Sequence, residues 1–181
     1  MSQKQDQIRE QLLKDLNSGD QHTVLESIKK IKSLGDASYI FPLLDKWFSS
    51  HGEVEQELTE LLYTLKDKKV NEVLVDALDE KRFIPQRAKI MTIFWNAGLE
   101  PKEFLSTFIR IALEGDFMTA LECLTLIENM EPPFPEEELM DGLIQLKEYF
   151  AKPGIDQEEK YTLIQTITTI VKVHDDNQII D

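Results

Sequence analysis

The stretch LGDASYIFPLLDKW, Leu34 to Trp47, decides the fold. One apolar-periodic run ends at Leu34-Gly35, another opens at Asp36, and Pro42 stands inside the second. Gly just past a helix end takes a left-handed conformation at little cost, and an Asp after it can accept hydrogen bonds from the first amides of the next helix. Gly35-Asp36 is therefore read as a joint between two helices. Ile40, Leu43, Leu44, Trp47 and Phe48 keep the i, i+3, i+4, i+7, i+8 rhythm straight through the proline, so the helix survives it. Two geometries satisfy this: a helix from Ala37 that bends at Pro42, or a looser opening turn over 36–41 with the main helix starting at Pro42.

The same two-helix unit recurs on both sides. Residues 3–17 carry Ile8, Leu12 and Leu16, and Asp20 caps a run with Val24, Ile28, Ile31 and Leu34. Residues 53–66 carry Leu58, Leu61, Leu62 and Leu65; residues 70–80 carry Val73, Leu74, Ala77 and Leu78. The run 85–97 is apolar nearly all round, with Ile90, Met91, Ile93, Phe94, Trp95 and Ala97, which predicts a central helix covered on both sides. Pro101 opens a helix that ends at Gly115; Asp116 starts the next. Pro135 and Glu136 to Glu138 mark the start of a helix over 135–150, and the last helix is expected over 156–174. Alternate helices start at about 21, 53, 85, 116 and 156, at intervals of about 32, 32, 31 and 40, and a recurring interval near 32 is the mark of stacked helix pairs.

Composition agrees. The 181 residues are 41% hydrophobic with only 7 glycines, enough for a core and biased toward helix over sheet. The formal charge of −14 repels phosphate backbones and anionic lipid, which disfavours nucleic acid as a partner. Lysines 29, 30 and 32 and lysines 66, 68 and 69 fall near predicted helix C-termini, where cations complement the dipole. Cys123 is the only cysteine, which excludes an internal disulfide and fits a reducing, cytoplasmic setting. No apolar leader opens the chain and no apolar run reaches 18 residues, so neither signal peptide nor membrane span is expected.

With SLGDASYIFPLLDKW in view, the chain resembles the HEAT repeat, especially the short HEAT-like variety in which a helix ends in Leu-Gly-Asp and its partner opens with an apolar-Pro-Leu-Leu segment. QRAKIMTIFWNAGLEP is a second partial match, with Arg87 where the first helix of such a repeat often carries Arg. Leu99 stands where an Asp would follow Gly98, and the units over 52–80 and 116–150 are degenerate. The resemblance implies an all-α, right-handed α-α superhelix of four to five antiparallel helix pairs. It divides 1–181 into a capping helix over 1–19, four pairs over 20–151, a capping helix over 156–174 and a frayed tail over 175–181.

Catalytic signals are sparse. His22, His51 and His174 are at no i, i+4 spacing, and His51 is followed by Gly52 rather than the Glu that HEAT-like deoxyhypusine hydroxylases use to bind iron. Cys123 has no basic neighbour in its turn to lower its pKa and reads as a small core residue. Trp47 and Trp95 both read as core. No cofactor, metal or catalytic residue is expected, and the HEAT-like bilin lyases have no counterpart pocket marked here.

Surface is what remains. In a helix-pair stack the second helices line the concave face. Away from their apolar stripes they carry Asp45, then Glu72, Asp76 and Asp79, then Glu103 and Arg110, then Asp141 and Glu148. This mostly acidic strip suits a protein or peptide with a basic segment, and predicts a non-catalytic interaction scaffold. The alternative is a nucleic-acid-acting enzyme of the HEAT-like DNA glycosylase type, which would need a basic groove in the same place.

Overall fold

A computed structural model of the chain describes residues 3–66 and 68–178. Regular structure among them is entirely helical: α1 (Gln3–Leu16), α2 (Gln21–Leu34), α3 (Ile40–Ser49), α4 (Glu53–Leu62), α5 (Lys68–Asp79), α6 (Arg87–Ala97), α7 (Leu105–Glu114), α8 (Phe117–Asn129), α9 (Glu136–Phe150) and α10 (Tyr161–Gln178), joined in places by short 3-10 segments. No helix among the described residues is long and apolar enough to cross a membrane. The chain divides into two compact units, Met1–Ala77 and Leu78–Asp181, with the division inside α5.

In the first unit α1 lies against α2, α2 against α4 and α3 against α4. Asp20 caps α2 by accepting from the Thr23 amide at 2.8 Å and its hydroxyl at 2.6 Å. Gly35 closes that helix in the left-handed region at φ 62°, where a side chain would be strained. Asp36 then accepts from the Ser38 amide at 2.9 Å and holds a 3-10 turn over Ala37–Tyr39, after which α3 begins at Ile40. Pro42 is thus the third residue of α3. The first four amides of a helix have no intrahelical partner, so a residue without an N–H costs nothing there. The helix is unbroken; it starts two residues ahead of the proline, behind an opening turn. Ile40, Leu43, Leu44 and Trp47 form its buried stripe. The Trp47 indole N–H donates to Thr59 Oγ1 at 2.8 Å, so a buried polar atom is satisfied from α4.

In the second unit α6 lies on α8, α7 on α8 and α9, and α10 on α8 and α9. Phe94 of α6 and Phe108 of α7 meet edge to face with centroids 5.3 Å apart, both fully buried. Gly142 permits α9 to approach α7, because a Cβ there would stand 2.5 Å from Ile109 Cδ1. Prolines act mainly ahead of helices rather than inside them. Pro85 lies within a 3-10 segment, Lys81–Gln86, so α6 starts at Arg87 rather than 85. Pro101 and Pro135 are N-cap residues, and a 3-10 turn Lys102–Phe104 separates Pro101 from α7.

At the C-terminal end the sequence expectation misplaces the boundaries. A 3-10 turn, Ile155–Gln157, occupies the predicted start, and α10 begins at Tyr161. Of the tail expected to fray over 175–181, residues 175–178 are helical and 179–181 lie outside the described residues. Trp95 also departs from expectation: α6 buries Ile90, Met91, Ile93, Phe94 and Ala97, but Trp95 is 37% exposed and donates its indole N–H to Glu122 Oε2 at 3.0 Å. An apolar composition all round a helix does not require burial all round, because an indole has a polar edge that water and carboxylates satisfy.

Candidate functional site

The expected strip is on the surface, unit by unit. In the first unit Asp45 on α3 and Glu72 and Asp76 on α5 are exposed. In the second, Asp79, Glu103, Asp141 and Glu148 are exposed and Arg110 is half-buried. The helices carrying them turn their apolar residues inward: Leu74 and Leu78 on α5, Phe108, Ile109 and Ala112 on α7, Leu139, Leu146 and Tyr149 on α9. Charge outward and hydrocarbon inward is the arrangement their sequence periodicity dictates.

Two of the eight residues are engaged with each other. Arg110 Nη2 donates to Asp79 Oδ2 at 2.7 Å, and its Nη1 donates to both Glu114 carboxylate oxygens at 3.1 Å. Arg87 completes the cluster. Its side chain is only 8% exposed; Nε donates to the Leu78 carbonyl at 2.7 Å, Nη2 to Asp79 Oδ1 at 3.0 Å and Nη1 to Glu114 Oε2 at 3.1 Å. Each carboxylate therefore bridges both guanidiniums, and the planar fork of Arg is what allows one side chain to serve three acceptors. Burial works against the charge of Arg110, but the hydrogen bonds it donates to Asp79 and Glu114 outweigh it and hold its pKa above the usual value. This quartet fastens the end of α5 to α6 and α7, so Asp79 and Arg110 serve the fold. Arg87, singled out through the repeat resemblance, is the buried member.

Lys160 is a second polar centre, and sequence reasoning missed it. Its ammonium donates to the carbonyls of Leu113 and Gly115 at 2.6 Å and of Ala112 at 3.3 Å, capping the C-terminus of α7. Burial pulls its pKa down. Tyr149 donates to Glu158 Oε2 at 2.9 Å, and that carboxylate stands 4.0 Å from the Lys160 ammonium. A lysine flanked by Glu158, Glu159 and Tyr161 looks like any solvated surface cation. Its partners lie more than forty residues away, and no local signal reveals them.

Chemistry-bearing groups are otherwise dispersed. Cys123 is fully buried and burial pushes its thiol pKa up, away from nucleophilic reactivity. His22 and His51 are exposed; His174 is half-buried, its ring 4.9 Å from that of Phe134. Among the described residues no group of three or more His, Cys, Asp or Glu is placed to hold a metal ion. A hollow of 460 Å³ in the first unit is walled by Ile31, Ile40, Leu43, Leu61 and Val70. A groove of 950 Å³ between α9 and α10 is lined by Leu143, Phe150, Tyr161 and Thr168, with Lys172 and Asp176 at its edge.

One feature of α9 has no counterpart in the expected strip. Met140 is 56% and Ile144 49% exposed, one turn apart and beside Asp141 and Glu148. Both lie off the buried stripe Leu139, Gly142, Leu146 and Tyr149, a displacement that the helical wheel of the sequence could have revealed. No family model, curated protein or solved structure matches the chain.

Proposed function

We propose that the chain is a non-catalytic, HEAT-like scaffold of the cytoplasm, a stack of antiparallel helix pairs that binds a protein or peptide with a basic segment through its second helices. Two patterns support the stack. The starts of α2, α4, α6 and α8 at 21, 53, 87 and 117 recur at intervals of 32, 34 and 30, as in helix-pair repeats, and α10 follows at a longer interval of 44. Within each unit, helices touch those two places along the chain: α2 and α4 in the first, α6 and α8, α7 and α9, and α8 and α10 in the second. Contact between alternate helices is what repeat-on-repeat stacking produces.

The binding reading rests on one observation: the acids of the second helices face outward over a buried apolar stripe, in a chain of charge −14. Complementary charge guides encounter and selects partners, so such a surface favours basic segments and repels nucleic acid. A glycosylase-type enzyme would need cations where Asp45, Asp76, Asp141 and Glu148 stand.

Affinity capture from the protein's own cell extract tests this, comparing the wild type with an Asp45→Lys/Asp76→Lys/Asp141→Lys variant. The expected outcome is a set of proteins bearing basic segments that the wild type retains and the variant loses. Recovery of the same proteins with both overturns it.

A further inference from the structure

The outward face of α9 combines hydrocarbon with charge in a way that the other second helices do not. Met140 and Ile144 are i, i+4 neighbours, so their side chains form one contiguous apolar spot, with Cβ atoms about 5–6 Å apart. Scattered single apolar residues on a surface are ordinary; an adjacent pair on an otherwise charged face is less so. Glu137 and Asp141 stand beside Met140, Glu148 is one turn beyond Ile144, and Glu136 is one turn before Met140, all exposed. Lys147 is the one cation on that face. The neighbouring Glu138 points elsewhere: it accepts from the Ser106 amide at 2.8 Å, helping to cap α7.

We propose that this face of α9 is the anchor of the interaction surface and takes a cationic amphipathic helix from a partner protein. Met140 and Ile144 meet the partner's apolar stripe, and Glu136, Glu137, Asp141 and Glu148 meet the Lys or Arg residues that flank it. The proposal rests on the scaffold reading above and narrows it to one helix and one class of partner. Charge selects this occupant over the others. A second copy of this chain, docked by the same face about a two-fold axis, would bring like carboxylates together. An anionic membrane surface is recognised by a helix rich in Lys and Arg, the reverse of this face. Met suits the role because its unbranched side chain adapts to apolar partners of different shape.

The probe is a fluorescent synthetic peptide of about 18 residues, five helical turns, with Leu on one face and Lys on the other. Its controls are the same peptide with Glu in place of Lys, and one of identical composition with the pattern scrambled. Titrations by anisotropy at about 150 mM salt, where remote charge is screened, compare four proteins. The wild type binds the patterned Lys peptide and neither control. Met140→Ser/Ile144→Ser, which leaves every charge in place, weakens binding about tenfold or more. Asp141→Lys/Glu148→Lys weakens it at least as much. Asp6→Lys/Glu10→Lys, which makes the same change in net charge at exposed acids outside the strip, leaves it within about twofold, because net charge alone, screened at this salt, does not hold the peptide. Methyl NMR signals of Met140 and Ile144 in the wild-type protein shift on titration, a readout independent of any variant's folding.

Equal weakening by the two charge-reversed variants, unchanged affinity in the Met140→Ser/Ile144→Ser variant, or silent methyl signals overturns the proposal. Those results leave the scaffold reading standing if extract capture still fails with the triple Lys variant. Capture that survives that variant removes the scaffold reading itself, whatever the peptide does.

Discussion

Lys160 and Asp116 show how single side chains complete the helix ends of the second unit. The Lys160 ammonium serves three carbonyls at the end of α7, where the last carbonyls of a helix have no intrahelical donor. Replacing it by Met keeps the aliphatic stem and removes the donors, and should lower unfolding free energy by about 1–3 kcal/mol in urea titrations. Asp116 begins α8 by accepting from the Thr119 amide at 2.8 Å, and that bond holds its carboxyl below the ordinary value of 3.8. A carboxylate with a depressed folded pKa stabilises the fold above its unfolded pKa, and that stabilisation is lost as pH falls through the folded value. Asp116→Asn retains an acceptor that does not titrate. Its thermal midpoint should therefore fall less steeply than that of the wild type between about pH 5 and pH 3, as differential scanning would record. The cap is visible in the sequence because Gly-Asp is a local signal. The role of Lys160 is not, because its acceptors are brought to it only by the packing of α10 on α7 and α8.

Among the elements, α5, α6 and α7 are joined by the Arg87, Asp79, Arg110 and Glu114 quartet. Either carboxylate alone still gives both guanidiniums an ionic partner; losing both leaves the buried Arg87 without one. Asp79→Asn and Glu114→Gln should accordingly be mild singly and more than additive together, with an interaction of about 1 kcal/mol or more in a double-mutant cycle. Simple additivity would mean that solvent already screens the cluster, since both carboxylates are half exposed. The helices themselves were legible from their apolar spacing, including α3, whose stripe runs through Pro42 without interruption. Helix starts were less so, because proline marks the approach to a helix as readily as its first residue. The 3-10 turns at Ala37–Tyr39, Lys81–Gln86 and Lys102–Phe104 take up the difference. Trp95 shows the same limit on faces: periodicity counts it as apolar, while its N–H finds Glu122 at the surface.

For the whole molecule, the governing quantity is a net charge of −14 on 181 residues. Self-repulsion of that size opposes the compact state and is screened by salt. Raising ionic strength from about 0.01 M to about 0.15 M shortens the screening length from about 30 to about 8 Å. The melting temperature should rise over that range, a shift readable by circular dichroism; a fall would mean that the ion pairs outweigh the general repulsion. Composition and periodicity by themselves determined that the described residues form an all-α fold and which face of most helices is buried, and they placed the acids of α3, α5 and α9 on the surface, because burial of a periodic apolar stripe is a local property of each helix. Tertiary structure alone decided that Asp79 and Arg110 hold each other and that Lys160 closes a distant helix. Each depends on which neighbour fills the space beside a helix, and hydrophobic spacing, which is blind to the identity of that neighbour, cannot encode it.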